Sequence, residues 1–209
     1  MKLGCIILAS GRGERFGSNK LLEKLNGRPL ITYTVAAAAE AAAQSFIDVP
    51  VVVTRWKEVE EICRDYPVRV ILHEDPDQSD SVRHGITSAY AENWDGCMFV
   101  PGDQPLLVKE NIADMAQAFY KDPERAYCLS FDDAVGSPRI FPRRYFKKLA
   151  EIQGDRGGGF LLKENGALVS NVSAVHPWEL WDVDTEEDLE RIRDIFCILE
   201  DLKGPDLAN

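Results

Sequence analysis

Four short apolar runs, Leu3 to Leu8, Val49 to Thr54, Val68 to Leu72 and Cys97 to Pro101, recur through the first half of the chain with stretches of helical character between them. Runs this short, rich in Val, Ile and Leu and lacking polar alternation, suit strands covered on both faces. Pro29 is expected to open a helix that continues through the alanine-rich block Ala36 to Ala43; Trp56 to Asp65 forms a second and Ser79 to Glu92 a third. Strands alternating with helices of about ten to fifteen residues build βαβ units. The expected class is therefore α/β, three layers (α/β/α) around a mostly parallel, Rossmann-like sheet. Such a sheet binds ligands beyond the carboxyl ends of its strands.

A chain of 209 residues with 45% apolar content suits a single domain with a sizeable core. Its net charge of −11 argues against a nucleic-acid binder, which needs a basic face. Positive charge is concentrated in the N-terminal loop and around Arg139 to Lys148, which suits a small phosphorylated ligand. Cys5, Cys63, Cys97, Cys128 and Cys197 form no C-x-x-C pair and read as small core residues of a reduced, cytoplasmic protein. No run reaches the length of a membrane span, and Cys5 to Ala9 is too short for a signal peptide.

The first apolar run leads into Leu8 to Lys20, LASGRGERFGSNK. A glycine-rich turn aims backbone N–H groups at one point, and Arg12, Arg15 and Lys20 add positive charge, so the loop is a candidate phosphate cradle. It is not a Walker A loop, because Phe16 and Gly17 fall where Gly-Lys should stand. Nor is it a dinucleotide fingerprint, because Phe16 takes the third glycine position.

Two further stretches place carboxylates at the ends of extended segments. Phe99 to Leu107 is an apolar strand closed by Gly102-Asp-Gln-Pro105, which brings Asp103 to the same edge as the loop. There Asp103 can serve as a hard-oxygen ligand for magnesium or cap its own turn. Near the C-terminus, Asp182-Val-Asp184 precedes a helix start marked by Thr185 and Asp188. Either carboxylate can supply a second metal ligand, and Asp184 is preferred over Asp182. Between these stretches, Gly136 and Pro138 suggest a turn re-entering a strand, and Tyr145 to Ile152 has helical spacing. Arg143 and Arg144 read either as a solvated pair or as a grip on a phosphate. His73, His84 and His176 are far apart in sequence with no obvious nucleophile partner, so covalent catalysis is not indicated.

The pattern L-A-x-G-x-G-x-R-x-G-x-x-K, completed by Leu22 to Ile31 and joined to G-D-Q-P-L-L and D-V-D-T-E-E-D-L, resembles the molybdopterin nucleotidyltransferases, in the molybdenum cofactor cytidylyltransferase form. The resemblance runs from Leu3 to Leu189. It implies one domain of the nucleotidyltransferase (nucleotide-diphospho-sugar transferase) type over 1–209, with a nucleotide-binding half at 1–107 and an acceptor half plus C-terminal helix at 108–209. It implies Arg15, Lys20 and Asp103 as catalytic residues, with Mg2+ on Asp103 and Asp184. The nucleotide would be held by Leu8, Ala9, Ser10, Gly11, Gly13, Arg15, Lys20, Ser81, Gly85 and Gly102. The segments G-S-P-R-I-F and G-D-R-G-G-G-F-L-L resemble the family's acceptor-pocket stretch, which implies Ser137, Pro138, Arg143 and Asp155 as acceptor contacts. The implied substrates are an NTP, here CTP, and a phosphorylated pterin, with a molybdenum hydroxylase or its maturation factor as partner and neither nucleic acid nor membrane. The chain departs from the pattern at Ser10 in place of alanine, at Gly159 in place of arginine, and in lacking a glycine ahead of Ser81-x-x-x-Gly85. Another base or acceptor, including a guanylyl transfer from GTP, and a non-catalytic nucleotide-binding regulator remain alternatives.

In the implied chemistry an acceptor phosphate oxygen attacks the α-phosphorus in line and pyrophosphate leaves. The acceptor is already an anion, so what the site must supply is charge stabilisation rather than a strong base.

Overall fold

The computed structural model describes residues 1–11, 19–154, 158–163 and 167–203, the last four as backbone. The expected apolar runs become β1 (Leu3–Ala9), β4 (Val51–Thr54), β5 (Arg69–Leu72) and β6 (Gly96–Pro101). They are joined by β2 (Lys24–Leu25), β3 (Arg28–Pro29), β7 (Ala126–Phe131), β8 (Ala134–Pro142) and β9 (Val169–Ser173). The α-helices are α1 (Ile31–Ala43), α2 (Lys57–Cys63), α3 (Gln78–Ile86), α4 (Lys109–Lys121), α5 (Phe146–Ala150) and α6 (Glu186–Lys203).

Seven strands form one sheet in the order β5-β4-β1-β6-β8-β7-β9. All neighbours pair in parallel except those of β8, which runs antiparallel to both β6 and β7. The sheet is thus mostly parallel, as expected. Burial follows the two-residue period of a strand: Leu3, Cys5, Ile7 and Ala9 of β1 join a core built with α1, α2 and α4, while Ile6 joins the opposite core with Val82 and Ile86 of α3 and Leu149 of α5. Cys5, Cys63, Cys97 and Cys128 are buried and unpaired, as their apolar surroundings require, whereas Cys197 is exposed.

Several local expectations are corrected. Pro29 does not open a helix: Asn26 and Gly27, at φ of 47° and 79°, turn a small hairpin in which Pro29 is the last strand residue, and α1 begins at Ile31. The third helix ends at Ile86 instead of continuing to Glu92. There the hydroxyls of Thr87 and Ser88 donate to the carbonyls of Arg83 and Gly85, and a short 3-10 turn (Ala89–Ala91) follows. Gly136 and Pro138 lie within β8 rather than in a turn. The helical stretch around Tyr145 divides into a 3-10 turn at Arg143–Tyr145 and α5. The C-terminal helix, grouped in sequence with the second half, returns to the first: Leu189 and Ile192 of α6 pack with Leu25, Leu30 and Leu106.

Candidate active site

β1 and β6 are neighbours whose connections leave in different directions, and the crevice at their carboxyl ends is the topological switch point of the sheet. Gly102 closes it. Its N–H donates to the Leu8 carbonyl at 2.9 Å, and a Cβ there would stand 2.9 Å from Ile31 Cδ1 and 3.0 Å from that same carbonyl oxygen, so only glycine fits without displacement. Thr34 of α1 donates its hydroxyl to the carbonyl of Gln104 at 3.1 Å, fixing the turn from below. Asp103 is thereby carried to the crevice with its carboxylate free of its own turn.

The Asp103 carboxylate meets Lys20. The Lys20 Nζ lies 2.7 Å from Asp103 Oδ2 and 2.8 Å from Asp184 Oδ1. Lys20 follows Asn19, whose side chain accepts from the Leu21 N–H and starts a one-turn 3-10 helix (Lys20–Leu22) that holds the lysine stem. Asp184 arrives from the far end of the sequence, because the Val183 N–H donates to the Asp103 carbonyl at 3.0 Å while the Gln104 amide donates to Leu180 at 3.1 Å. Val183 itself is fully buried, which turns Asp182 and Asp184 outward on either side of it.

Burial works against the Lys20 ammonium, but Asp103 and then Asp184 outweigh it and hold its pKa above the usual value. Asp182 behaves oppositely. Crowding by protein, then the charges of Asp103 and Asp184, push its carboxyl up, and Lys20 offsets only part of this. Three carboxylates around one ammonium are an electrostatic deficit of positive charge. The ammonium bridging two carboxylates marks a place that accommodates a cation, and the donor set is all hard oxygen, which fits magnesium or manganese rather than a softer ion.

On the nucleotide side, Leu8, Ala9, Ser10 and Gly11 lead out of β1 beside β4. Thr54 donates its hydroxyl to the Ala9 carbonyl at 2.8 Å, and the Trp56 indole donates to Gly11 at 3.2 Å. The expected contacts Gly13 and Arg15 lie outside the described residues. Ser10 shares a 2.9 Å hydrogen bond with His73 Nε2, and the same nitrogen stands 3.1 Å from Ser81 Oγ. Sequence reasoning set the histidines apart; the fold places His73 between two segments expected at the nucleotide. Both α3 positions of that expectation have internal work. Ser81 is buried on His73, and Gly85 is buried where a Cβ would lie 2.6 Å from Ile6 Cδ1.

The acceptor side differs more. Arg143 follows Pro142, which pairs with Gly96 at the amino end of β6, so it lies at the opposite edge of the sheet from Asp103. Its guanidinium donates to the carbonyls of Trp94 at 2.6 Å and Ala91 at 3.4 Å, a structural tie at that far edge. Asp155 lies outside the described residues, and Ser137 and Pro138 belong to β8. What faces the open space beside α3 is a cavity of about 390 Å3 lined by Gln78, Arg139, Gly159, Phe160 and Lys163. Gly159 is what admits Arg139, since a Cβ at Gly159 would meet its Nη1. Neither Arg139 nor Lys163 forms an ion pair among the described residues.

The family model for the MobA-like NTP transferase domain matches residues 5–170. The chain belongs to the MobA-like NTP transferase family. As a MobA-like NTP transferase it is a nucleotidyltransferase, and its relatives agree. It is 30% identical over 205 residues to the probable molybdenum cofactor guanylyltransferase of Thermococcus kodakarensis, covering 89% of this chain and 92% of that protein. A nucleotidyl transferase from Methanothermobacter superposes with a TM-score of 0.79 at 26% identity, covering 95% of this chain and 99% of that one. The fold is also that of Mycobacterium tuberculosis Rv0371c in complex with manganese, with a TM-score of 0.71 at 21% identity over 93% of this chain and 99% of that one. No helix among the described residues is long and apolar enough to cross a membrane.

Proposed function

We propose that this MobA-like transferase moves a nucleotidyl group from an NTP to the phosphate of a molybdopterin-type acceptor and releases pyrophosphate. The observation that carries the reading is the bridging of Asp103 and Asp184 by Lys20 at the switch point of the sheet. Guanylyl transfer from GTP replaces the cytidylyl transfer expected from sequence, because full-length relatives are named molybdenum cofactor guanylyltransferases.

Asp103 and Asp184 would hold a divalent ion, Mg2+ first among candidates, with Asp182 alongside. Bound there, the ion would neutralise charge on the α-phosphate and the leaving pyrophosphate. The chain's own groups do the rest. Lys20, held between Asp103 and Asp184, would offer its ammonium to a phosphate oxygen, and the residues after Gly11, with Arg15, would receive the triphosphate. The acceptor phosphate oxygen forms a bond to the α-phosphorus as the bond to the bridging oxygen breaks, and the electron pair leaves with pyrophosphate. Arg139 and Lys163 are the acceptor's cationic contacts in this scheme. Arg139 takes the role expected of Arg143, so the second half of the chain remains the acceptor half while Asp184 and α6 serve the nucleotide half.

The test is pyrophosphate release from GTP, CTP, ATP and UTP in the presence of molybdopterin and Mg2+ or Mn2+. GTP should be the preferred donor. Preference for CTP would overturn the base assignment alone, and absence of release with every donor would overturn the acceptor assignment.

A further inference from the structure

On the same sheet edge, beyond β4, the fold collects His73, Asp75 and His84. One donor atom from each lies within 4.8 Å of the other two. His73 follows β5, Asp75 lies in the connection, and His84 is on α3, so the group draws the far turn of α3 back to the start of the connection that leads into it.

His73 is only 6% exposed. Its Nε2 is engaged by the hydroxyls of Ser10 and Ser81, while its Nδ1 is buried with no hydrogen-bond partner. A proton on Nε2 makes Nδ1 the lone-pair atom, and a hydroxyl fixing the far nitrogen is the outer-shell arrangement that metal-binding imidazoles use. A buried nitrogen with an unused lone pair is costly unless something fills it.

The other two ligands are half-buried and reachable from solvent, which gives an ion an entry path. His84 Nε2 stands 2.6 Å from Asp75 Oδ2, and the two imidazole centroids are 4.8 Å apart. Two imidazoles on neighbouring positions of one ion, with metal–nitrogen distances of about 2.0–2.1 Å, have centroids roughly 4.5–5 Å apart. The rings lie 29° from parallel, so His84 must swing about its Cβ–Cγ bond to converge on the ion, and that torsion is soft. Arg83 is committed to Asp80 at 2.6 Å and stands 4.0 Å from Asp75, so the near partner of the Asp75 carboxylate is His84, itself a member of the group. Arg55 and Arg83 oppose an added charge here, and Asp75 and Asp80 favour it.

The geometry points to a second metal site, built from His73 Nδ1, Asp75 and His84, for a borderline divalent transition ion such as zinc or cobalt(II). Two imidazoles and one carboxylate select such an ion, whereas the all-oxygen cluster at Lys20 selects magnesium or manganese. Three protein ligands leave a coordination position open to water. The ion would fasten β5 to α3 and, through the hydroxyls on His73 Nε2, steady the entry of the loop after β1.

The experiment uses the full chain carrying D103N and D184N together, which removes the oxygen cluster from consideration. Co2+ is titrated in, followed by its visible absorption, and Zn2+ stoichiometry is measured by equilibrium dialysis. One equivalent of each is expected. Adding H84A or D75A should weaken binding by more than about 100-fold, beyond the about 10–100-fold typical of outer-shell changes. Metal-free melting of these half-exposed variants checks that they fold, and Zn2+ should raise the midpoint of the parent but not of the H84A chain. Failure to bind Co2+ or Zn2+, or equal binding by the parent, H84A and D75A chains, overturns the site. Transferase activity is not the readout, so the outcome is separate from that of the proposed reaction.

Discussion

The two ends of the sheet use the same residue classes to opposite ends. At the amino-terminal edge Asp48 accepts from the Trp94 indole at 2.9 Å and faces Lys2 at 3.0 Å and Arg69 at 3.6 Å, while Arg143 is spent on two carbonyls. Burial raises the Asp48 carboxyl, but the hydrogen bonds from Trp94 and Lys2 prevail and hold it low. That edge is settled with everything in place. At the carboxyl-terminal edge Lys20 is shared between Asp103 and Asp184, and Asp182 is pushed up by burial and then by the neighbouring carboxylates. The first cluster holds its acid low, and the second leaves one of its acids raised.

Removing Asp103 should break the contrast most visibly. Asp103→Asn is expected to lower the rate of pyrophosphate release by at least about 100-fold, the scale of losing one preorganised electrostatic group, with its melting midpoint little changed. Retention of the rate would remove Asp103 from the chemistry. Next in size is Lys20→Met, which leaves two crowded carboxylates facing each other. It should cost about 1–3 kcal/mol in urea unfolding without divalent ions, and Mg2+ or Mn2+ should restore part of the loss. If the variant is as stable as the parent, the ammonium does not balance those carboxylates.

The two arginines of β8 and its continuation sharpen the comparison. Arg139→Ala should raise the acceptor KM about tenfold and leave the NTP KM unchanged, the effect of losing one charge-assisted contact. Arg143→Ala should instead lower stability by about 1–2 kcal/mol with both KM values unchanged; a change in acceptor KM with Arg143 alone would reverse their assignments. The smallest effect is a pH slope. The His73 pKa is lowered in the fold, so as pH falls below about 6.5 the unfolded chain takes up protons first and stability declines. Unfolding midpoints at pH 7.5 and 5.5 should differ less in His73→Asn than in the parent.

The parallel strands were legible because burial on both faces writes them as unbroken apolar runs, and Asp103 was legible because it ends one of them. β8 was legible only as a strand re-entered after a turn, since Gly136, Pro138 and Arg139 interrupt its apolar character. Its pairing with β7 explains how it survives: the register shifts between Cys128 and Ser130, and Pro138 falls in that irregular stretch where no donor is required. β9 is a half-exposed edge strand whose Ser and Asn residues break any apolar run. The direction of Arg143 depends on a reversed strand that only tertiary pairing reveals. His73 was passed over for the same reason, since Ser10 and Ser81 reach it across the sheet edge and not along the chain. By contrast, the spacing Asp182-Val-Asp184 carried its own evidence: a buried valine between two acids forces both outward.

Asp184 also sets an order of events during synthesis. The helix that follows it is seated on Leu25, Leu30 and Leu106, so the partner that completes the Lys20 bridge is among the last pieces of the described chain to leave the ribosome. Until then a growing chain can hold a formed β1, β6 and Asp103 yet present an unbalanced pocket. The charge balance at Lys20 is therefore completed last, and a chain stopped short of Val183 would have the sheet without the means to close its circuit of charge.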